Sequence, residues 1–233
     1  MASGTEADGR DIPSVIAGFP TQVESFDVAE SVLRLVTVCD LEQHVDRERL
    51  LHDDSLVPPY WALVWAGARV LAESLVTRID CAGRRVLDVG CGLGLVSLAA
   101  ASRGAAVTAI DREPTPIEFL CASAALAGVH VETVVGDVVT ALPDRRFDLV
   151  LAADLLYERR EFERLAAALS ALVAPHGTLW TADPQRIDTA LFYGALERHG
   201  LVRRTVTTHE IREESCVQRV RLIALGRDAE VKG

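Results

Sequence analysis

The residues with the most chemical content form one run, Val86-Leu87-Asp88-Val89-Gly90-Cys91-Gly92-Leu93-Gly94-Leu95. Apolar residues rise to a carboxylate, three alternating glycines follow, and an Ala/Leu-rich stretch starts at once. A glycine turn at the carboxyl end of a buried parallel strand lets a ligand approach the backbone closely, beside a helix N-terminus. A dinucleotide fingerprint spaces its glycines as G-x-G-x-x-G; here the third glycine arrives one residue early, and Leu95 stands where the last should be. Further carboxylates follow apolar strand candidates at Asp111, at Gly136-Asp137-Val138 and at Asp154-Leu155-Leu156-Tyr157. A lone Asp after a strand is usually a helix N-cap or a turn residue. Several at successive strand ends, behind a glycine turn, point instead to a shared ligand. A carboxylate at Asp111, one crossover after the turn, can accept a pair of hydroxyls as a fork.

The elements that must carry these residues can be read from periodicity and punctuation. Strand candidates are 85–89, 106–110, 131–135, 147–152, 177–182, 201–208 and 217–225. Helical patterns fall at 94–102, 114–127, 158–173 and 187–198, with glycine stops at Gly104, Gly128, Gly177 and Gly200. Strands alternating with helices imply right-handed crossovers and a parallel sheet. A short polar stretch around His209 to Glu214 separates the last two strands, which suggests an antiparallel closing hairpin. Upstream, Val23–Phe26 and Ser31–Val38 have the content of a hairpin. Leu41–Asp54 is ambiguous, and Tyr60–Val76 carries apolar residues at helical spacing after Pro58-Pro59. The expected organisation is a flexible tail at 1–20, an N-terminal extension of hairpin and loop at 21–58, and one α/β domain at 59–233.

This pattern resembles the class I SAM-dependent methyltransferases (SAM is S-adenosylmethionine), whose motif I matches Asp88 and Gly90, Gly92 and Gly94. The fold implied is a Rossmann-like, seven-stranded, mostly parallel sheet with an antiparallel terminal hairpin and helices on both faces. The resemblance implies that Asp111 holds the ribose hydroxyls, that Asp137 meets the adenine amino group, and that Asp88 supports the amino-acid end. The implied SAM pocket therefore comprises Trp65, Asp88, Gly90, Gly92, Gly94, Asp111, Arg112, Asp137, Val138 and Ala153. On a continuous helix Trp61 and Trp65, four apart, share a face. One is expected in the core and the other, Trp65, as an aromatic wall near the cationic sulfonium. The Asp154-x-x-Tyr157 tetrad is similar to that of the seven-β-strand protein lysine methyltransferases. Within that group, the stretch Pro58-Pro59-Tyr60-Trp61-Ala62-Leu63-Val64-Trp65-Ala66-Gly67 looks most like the branch acting on the electron transfer flavoprotein β subunit, and Asp183-Pro184-Gln185-Arg186 is similar to a D-P-x-R of bacterial members of that branch.

The chemistry suits those residues. Methyl transfer is an in-line displacement that needs a neutral amine held against the methyl group, and a free lysine is protonated at neutral pH. Asp154 is expected to hydrogen-bond and orient the amine, with either itself or a water taking the proton, and Tyr157 to wall the site. A structural role, with Asp154 capping a helix that starts near Tyr157, is compatible with the same pattern. Two other functions remain open: an N-methyltransferase for a small amine or pyridine, and a SAM-binding partner module without catalysis. An NAD-dependent oxidoreductase is disfavoured by Leu95. Pro58-Pro59-Tyr60 resembles the motif of enzymes that methylate base or glutamine amino groups, but Val57 stands where their hydrogen-bonding residue would be.

Bulk properties narrow the field. The 233 residues suffice for one α/β domain with an Ala/Leu/Val core, since 49% are hydrophobic and 5% aromatic. A net charge of −10 argues against a nucleic-acid substrate, because phosphate neutralisation drives such binding. Five cysteines, without a C-x-x-C pair, read as reduced thiols and not as a disulfide frame or zinc site, and no metal is expected. No apolar run reaches membrane-spanning length and the start is polar, so a cytoplasmic location without membrane partners is expected.

Overall fold

The computed structural model describes residues 12–45, 52, 58–142, 144–212 and 217–227. Three strands open the chain: β1 (Val15–Ile16), β2 (Phe19–Val28) and β3 (Ser31–Val38), paired antiparallel in that order. Strand pairing therefore begins inside the stretch expected as tail, with Val15 opposite Pro20. The hairpin expected from the sequence is present and longer than its apolar stretches. It packs through Leu35, Val36 and Val38 into the same core as the downstream domain, and the Val36 amide donates to Ser123 Oγ at 2.9 Å.

After a four-residue helix α1 (Leu41–His44), the chain resumes in a 3-10 turn at Tyr60–Ala62 and then α2 (Ala66–Thr77). The loop expected over 41–58 lies largely outside the described residues. One continuous helix from Tyr60 does not form. Leu63 is extended (φ −113°, ψ 144°), and the indole N–H of Trp65 donates to Tyr60 O at 2.7 Å, which folds the short turn back on itself. Trp61 and Trp65 consequently sit on different elements, and Trp65 is the residue that precedes α2.

Strands and helices then alternate: β4 (Arg85–Val89), α3 (Leu95–Ser102), β5 (Ala106–Asp111), α4 (Pro114–Ala127), β6 (Val131–Val135), α5 (Val138–Ala141) and β7 (Phe147–Ala153). They continue through α6 (Phe162–Leu172), β8 (Val173–Asp183), α7 (Ala190–Arg198), β9 (Leu201–Arg212) and β10 (Val217–Arg227). The sheet order is β6-β5-β4-β7-β8-β10-β9, parallel from β6 to β8 and antiparallel at β10 and β9. Two differences from the periodicity matter. Strand β9 runs on through the polar stretch to Arg212, because cross-strand pairing with β10 continues there. Helix α6 begins at Phe162, so Asp154 is not its N-cap.

One face of the sheet is covered by α2, α3, α4 and the N-terminal strands, around Leu71, Leu98 and Phe119; the other by α5, α6 and α7, around Phe162, Leu169 and Phe192. The chain leaves β4 toward β5 on one side and returns to β7 on the other. Crossovers that diverge in this way open a crevice at the carboxyl ends of β4 and β7, the ordinary place for a ligand in an open α/β sheet.

Candidate active site

That crevice is a cavity of about 700 Å³, walled by the glycine turn, the ends of β5 and β7, and the segment from Pro58 to Trp65. Gly90, Gly92 and Gly94 all lie at positive φ (64°, 50° and 86°), which L side chains rarely adopt. Sterics make the same demand: a Cβ on Gly94 would lie 2.2 Å from Leu120 Cδ1. The turn is stapled from β5, since Asp111 Oδ2 accepts from the Gly92 amide at 3.0 Å and Oδ1 from the Glu113 amide at 3.1 Å. Burial pushes the Asp111 carboxyl above its ordinary range, and those amides oppose the shift.

Asp88 is almost fully buried in β4. Its Oδ2 accepts from Ser97 Oγ on α3 at 2.6 Å, a bond that ties strand to helix across the turn. Desolvation pushes this carboxyl up to about 7; Ser97 counters the shift and neighbouring Asp111 adds to it. A carboxyl raised above its unfolded value costs stability once ionised. Its contribution is therefore most favourable below about pH 4 and is lost as pH rises toward 7. Asp88→Asn, which keeps an acceptor for Ser97, is expected to gain on wild type between pH 5 and pH 8, by an amount on the order of a few kcal/mol. Thermal unfolding at the two pH values checks this; a difference that does not grow with pH would refute it.

Asp154 terminates β7 in the left-handed region (φ 55°), with its amide held by Ala182 O at 3.0 Å. Its side chain is 7% exposed, and Oδ2 accepts from the Ala68 amide at 3.1 Å. The carboxylate thus caps a helix, but the helix is α2, contributed from 86 residues upstream, and not the helix that follows it. Arg186 Nη2 stands 3.2 Å from Oδ1 as an ion pair, out of line for a hydrogen bond, so that buried oxygen has no aligned donor. Burial raises the Asp154 carboxyl to about 6 against the opposing pull of Arg186 and the α2 amides. Gly67 makes this approach possible, because a Cβ there would lie 2.4 Å from Asp154 Oδ2 and 2.8 Å from Ala182 O.

Tyr157 is 55% exposed at the cavity wall, its ring centroid 6.4 Å from that of Tyr60, which is 51% exposed. Both tryptophans line the cavity. Trp61 is also wedged between Phe19 and Phe119 (centroids 5.6 and 5.5 Å), whereas Trp65 carries the Arg186 guanidinium 4.6 Å from its ring centre. A cation therefore stands on Trp65 already, and it comes from the protein.

The structure brings Trp65, Asp88, Gly90, Gly92, Gly94, Asp111, Arg112, Val138, Ala153, Asp154 and Tyr157 together around one cavity. Asp137 is the exception. Its Oδ1 caps α5 by accepting from the Val139 amide at 2.9 Å, and its Oδ2 pairs with Arg112 at 3.2 Å, while its neighbours Gly136 and Val138 line the cavity in its place. An Asp between a strand and a short helix finds unsatisfied amides at hand, and the cap wins. Sequence reasoning gave no site role to Ser97, which carries no local signal, or to Gly67, which entered only as the end of the Pro58–Gly67 stretch. Among the described residues, no group of three or more His, Cys, Asp or Glu side chains is placed to hold a metal ion.

Comparison with known proteins agrees with this geometry. Residues 86–177 match the family model described as a methyltransferase domain. A protein N-lysine methyltransferase of Danio rerio is 38% identical over 120 residues, 48% of this chain and 55% of the relative. The electron transfer flavoprotein beta subunit lysine methyltransferase of the same organism is 33% identical over 131 residues, 55% of this chain and 51% of the relative. A ubiquinone biosynthesis O-methyltransferase of Coxiella burnetii is 29% identical over 161 residues, 65% and 68% of the two chains. The chain thus spans about half the length of the first two relatives. Among solved structures, magnesium protoporphyrin IX methyltransferase from Synechocystis PCC 6803 with bound SAM superposes with a TM-score of 0.58 at 20% identity, covering 78% of this chain and 90% of that one. The glycine turn, the sheet order and the methyltransferase-domain match over residues 86–177 make this chain similar to the class I, seven-β-strand, SAM-dependent methyltransferases.

Proposed function

We propose that the chain transfers a methyl group from SAM to the side-chain nitrogen of a lysine in a protein substrate. The observation that carries the amine acceptor is Asp154: a buried carboxylate on the cavity wall, fixed through Oδ2 by α2, with an Oδ1 that has no aligned donor. An N–H of an incoming amine would supply that donor. The protein substrate is supported by the wall around it. Tyr60, Leu63 and Tyr157 stand about half exposed, and Glu158 lies beside them, which suits an aliphatic, basic side chain presented on another protein. Two relatives named as lysine methyltransferases support it as well, and one of them is named for the electron transfer flavoprotein beta subunit, the first candidate partner.

The residues present fit SAM. Asp111, at the end of β5 and partly open to the cavity, suits a ribose diol; Gly136 and Val138 offer a close, largely apolar edge for the adenine; and the glycine turn admits the amino-acid end next to Asp88. When bound, SAM supplies an electrophilic methyl group on a sulfonium with a good leaving group. The chain's residues then need to exclude bulk water, hold the amine nitrogen in line, and receive it unprotonated. Asp154 fixes the direction of the nitrogen by accepting one N–H, and Tyr60 and Tyr157 flank the aliphatic stem. With SAM in place, the amine nitrogen would take the methyl group from the sulfonium, and the proton left on that nitrogen would depart to solvent or through Asp154.

Asp111→Ala is expected to weaken S-adenosylhomocysteine binding tenfold or more, from loss of charge-assisted hydrogen bonds worth roughly 1.5–3 kcal/mol each and of the staple on Gly92. Isothermal titration measures it, and an unchanged Kd would remove Asp111 from the cofactor site.

The function is tested by methyl transfer from radiolabelled SAM into host lysate and into purified electron transfer flavoprotein, wild type beside Asp154→Ala. A labelled band given by wild type alone, yielding methyllysine on hydrolysis, supports the reading. Lys232 is the one lysine of the chain, so label at another mass is not self-modification. Release of S-adenosylhomocysteine with label confined to small molecules would overturn the protein substrate, and label recovered on oxygen would overturn the amine.

A further inference from the structure

Arg186 does not line the SAM cavity; it lines a second one of about 450 Å³, beside Tyr193, Arg203 and Arg221. From there its guanidinium stacks 4.6 Å above the Trp65 ring and reaches to 3.2 Å from Asp154 Oδ1. Resting on the proposed amine acceptor, we infer that Arg186 is a positioning residue that makes the Asp154 corner select a neutral amine in preference to an ammonium ion.

The reason is a charge balance. A buried carboxylate standing alone binds an ammonium ion more firmly than an amine, and an ammonium has no lone pair with which to attack. Paired with Arg186, Asp154 keeps its acceptor geometry while the corner carries no net charge. The positive sulfonium of bound SAM then tips the local potential against a second cation. Lysine is thereby received in the form that reacts, and its proton is shed to water before or during entry. Both members of the pair have further contacts. Asp154 accepts from the Ala68 amide, and the Arg186 guanidinium lies over the ring of Trp65, whose own indole N–H donates to Tyr60 O.

Other groups around Asp154 do not supply that positive charge. From α2 it meets the uncharged amides of Gly67 and Ala68, and from β8 the carbonyl of Ala182. The titratable side chains sharing its cavity are Tyr60, Tyr157, Glu158 and Glu161 near the exposed wall, and Asp88, Cys91, Asp111 and Glu113 by the glycine turn. Arg112 there is paired with Asp137 and Glu161. The unpaired members of this set are neutral or acidic and favour the protonated amine, so Arg186 acts against them.

The test is the pH profile of kcat on a lysine-bearing protein substrate for wild type, Arg186→Gln and Arg186→Lys, with the Asp154 carboxyl followed by carbon-13 NMR in the complex with S-adenosylhomocysteine. Without the guanidinium, both the amine and Asp154 hold their protons to higher pH. The rising limb of Arg186→Gln should therefore move up by about one pH unit, the small end of the range because Arg186 is partly exposed. The Asp154 midpoint should move the same way, and Arg186→Lys should return both toward wild type. A merely structural role lowers the plateau and leaves the limb in place. Wild-type turnover with coincident limbs overturns the inference, as does an unmoved Asp154 midpoint. Absence of wild-type turnover on any protein amine overturns the proposed function instead.

Discussion

Asp154→Asn should lower kcat by roughly 10²–10⁴-fold while leaving S-adenosylhomocysteine affinity at its wild-type level. The separation of the two readouts follows from position. Asp154 stands at the end of β7, whereas the turn and Asp111, the proposed cofactor wall, hang on β4 and β5. Asparagine retains an oxygen for the Ala68 amide, so α2 stays capped and the fold is preserved. It loses the negative charge that pairs with Arg186, and its amide group presents donors where the amine needs an acceptor. Because burial holds the carboxyl near 6, wild-type activity should also fall as pH drops through that value, when the protonated acid can no longer accept both bonds. Steady-state kinetics with a binding titration decide the matter. Full activity in the variant would end any catalytic assignment to Asp154, and a parallel loss of cofactor binding would make its role structural.

Gly67→Ala should be nearly as damaging, by sterics alone. The added methyl would stand 2.4 Å from Asp154 Oδ2, 2.9 Å from Asp154 Cγ and 2.8 Å from the Ala182 carbonyl oxygen. Two of these belong to a carboxylate already clamped by α2 and Arg186, and the third is backbone in a buried strand, so none can yield cheaply. Either the carboxylate rotates away and the acceptor corner is lost, or α2 shifts off the sheet. Overpacking of this kind typically costs about 1–3 kcal/mol, and displacing a reacting group by about 1 Å can cost about 100-fold in rate. The expected result is a folded protein with lowered Tm that still binds S-adenosylhomocysteine and turns over at least about 100-fold more slowly. Wild-type kcat with an unchanged Tm would mean that the close packing of α2 against Asp154 does not govern the site.

Much of this architecture is legible in local signals. The glycine spacing after Asp88 fixed the turn, because three positive-φ positions in five residues admit few other arrangements. The alternation of buried strands and helices with glycine stops fixed the doubly wound sheet, and the carboxylates after β5 and β7 fell at its carboxyl edge as their positions required. These features are legible because strand, turn and helix signals are local. Less legible were places in which a local pattern had two uses. Asp137 served its nearest amides and left the cavity to its neighbours. Trp61 and Trp65, spaced for one helix, were separated by a 3-10 turn closed through the Trp65 indole. The tertiary structure decided the pairing of Asp154 with α2 and Arg186, the requirement for Gly67, and the union of the N-terminal strands with the main core. Each joins residues far apart in the chain, or weighs burial against a charge, and such couplings depend on distances in space that spacing along the chain does not encode.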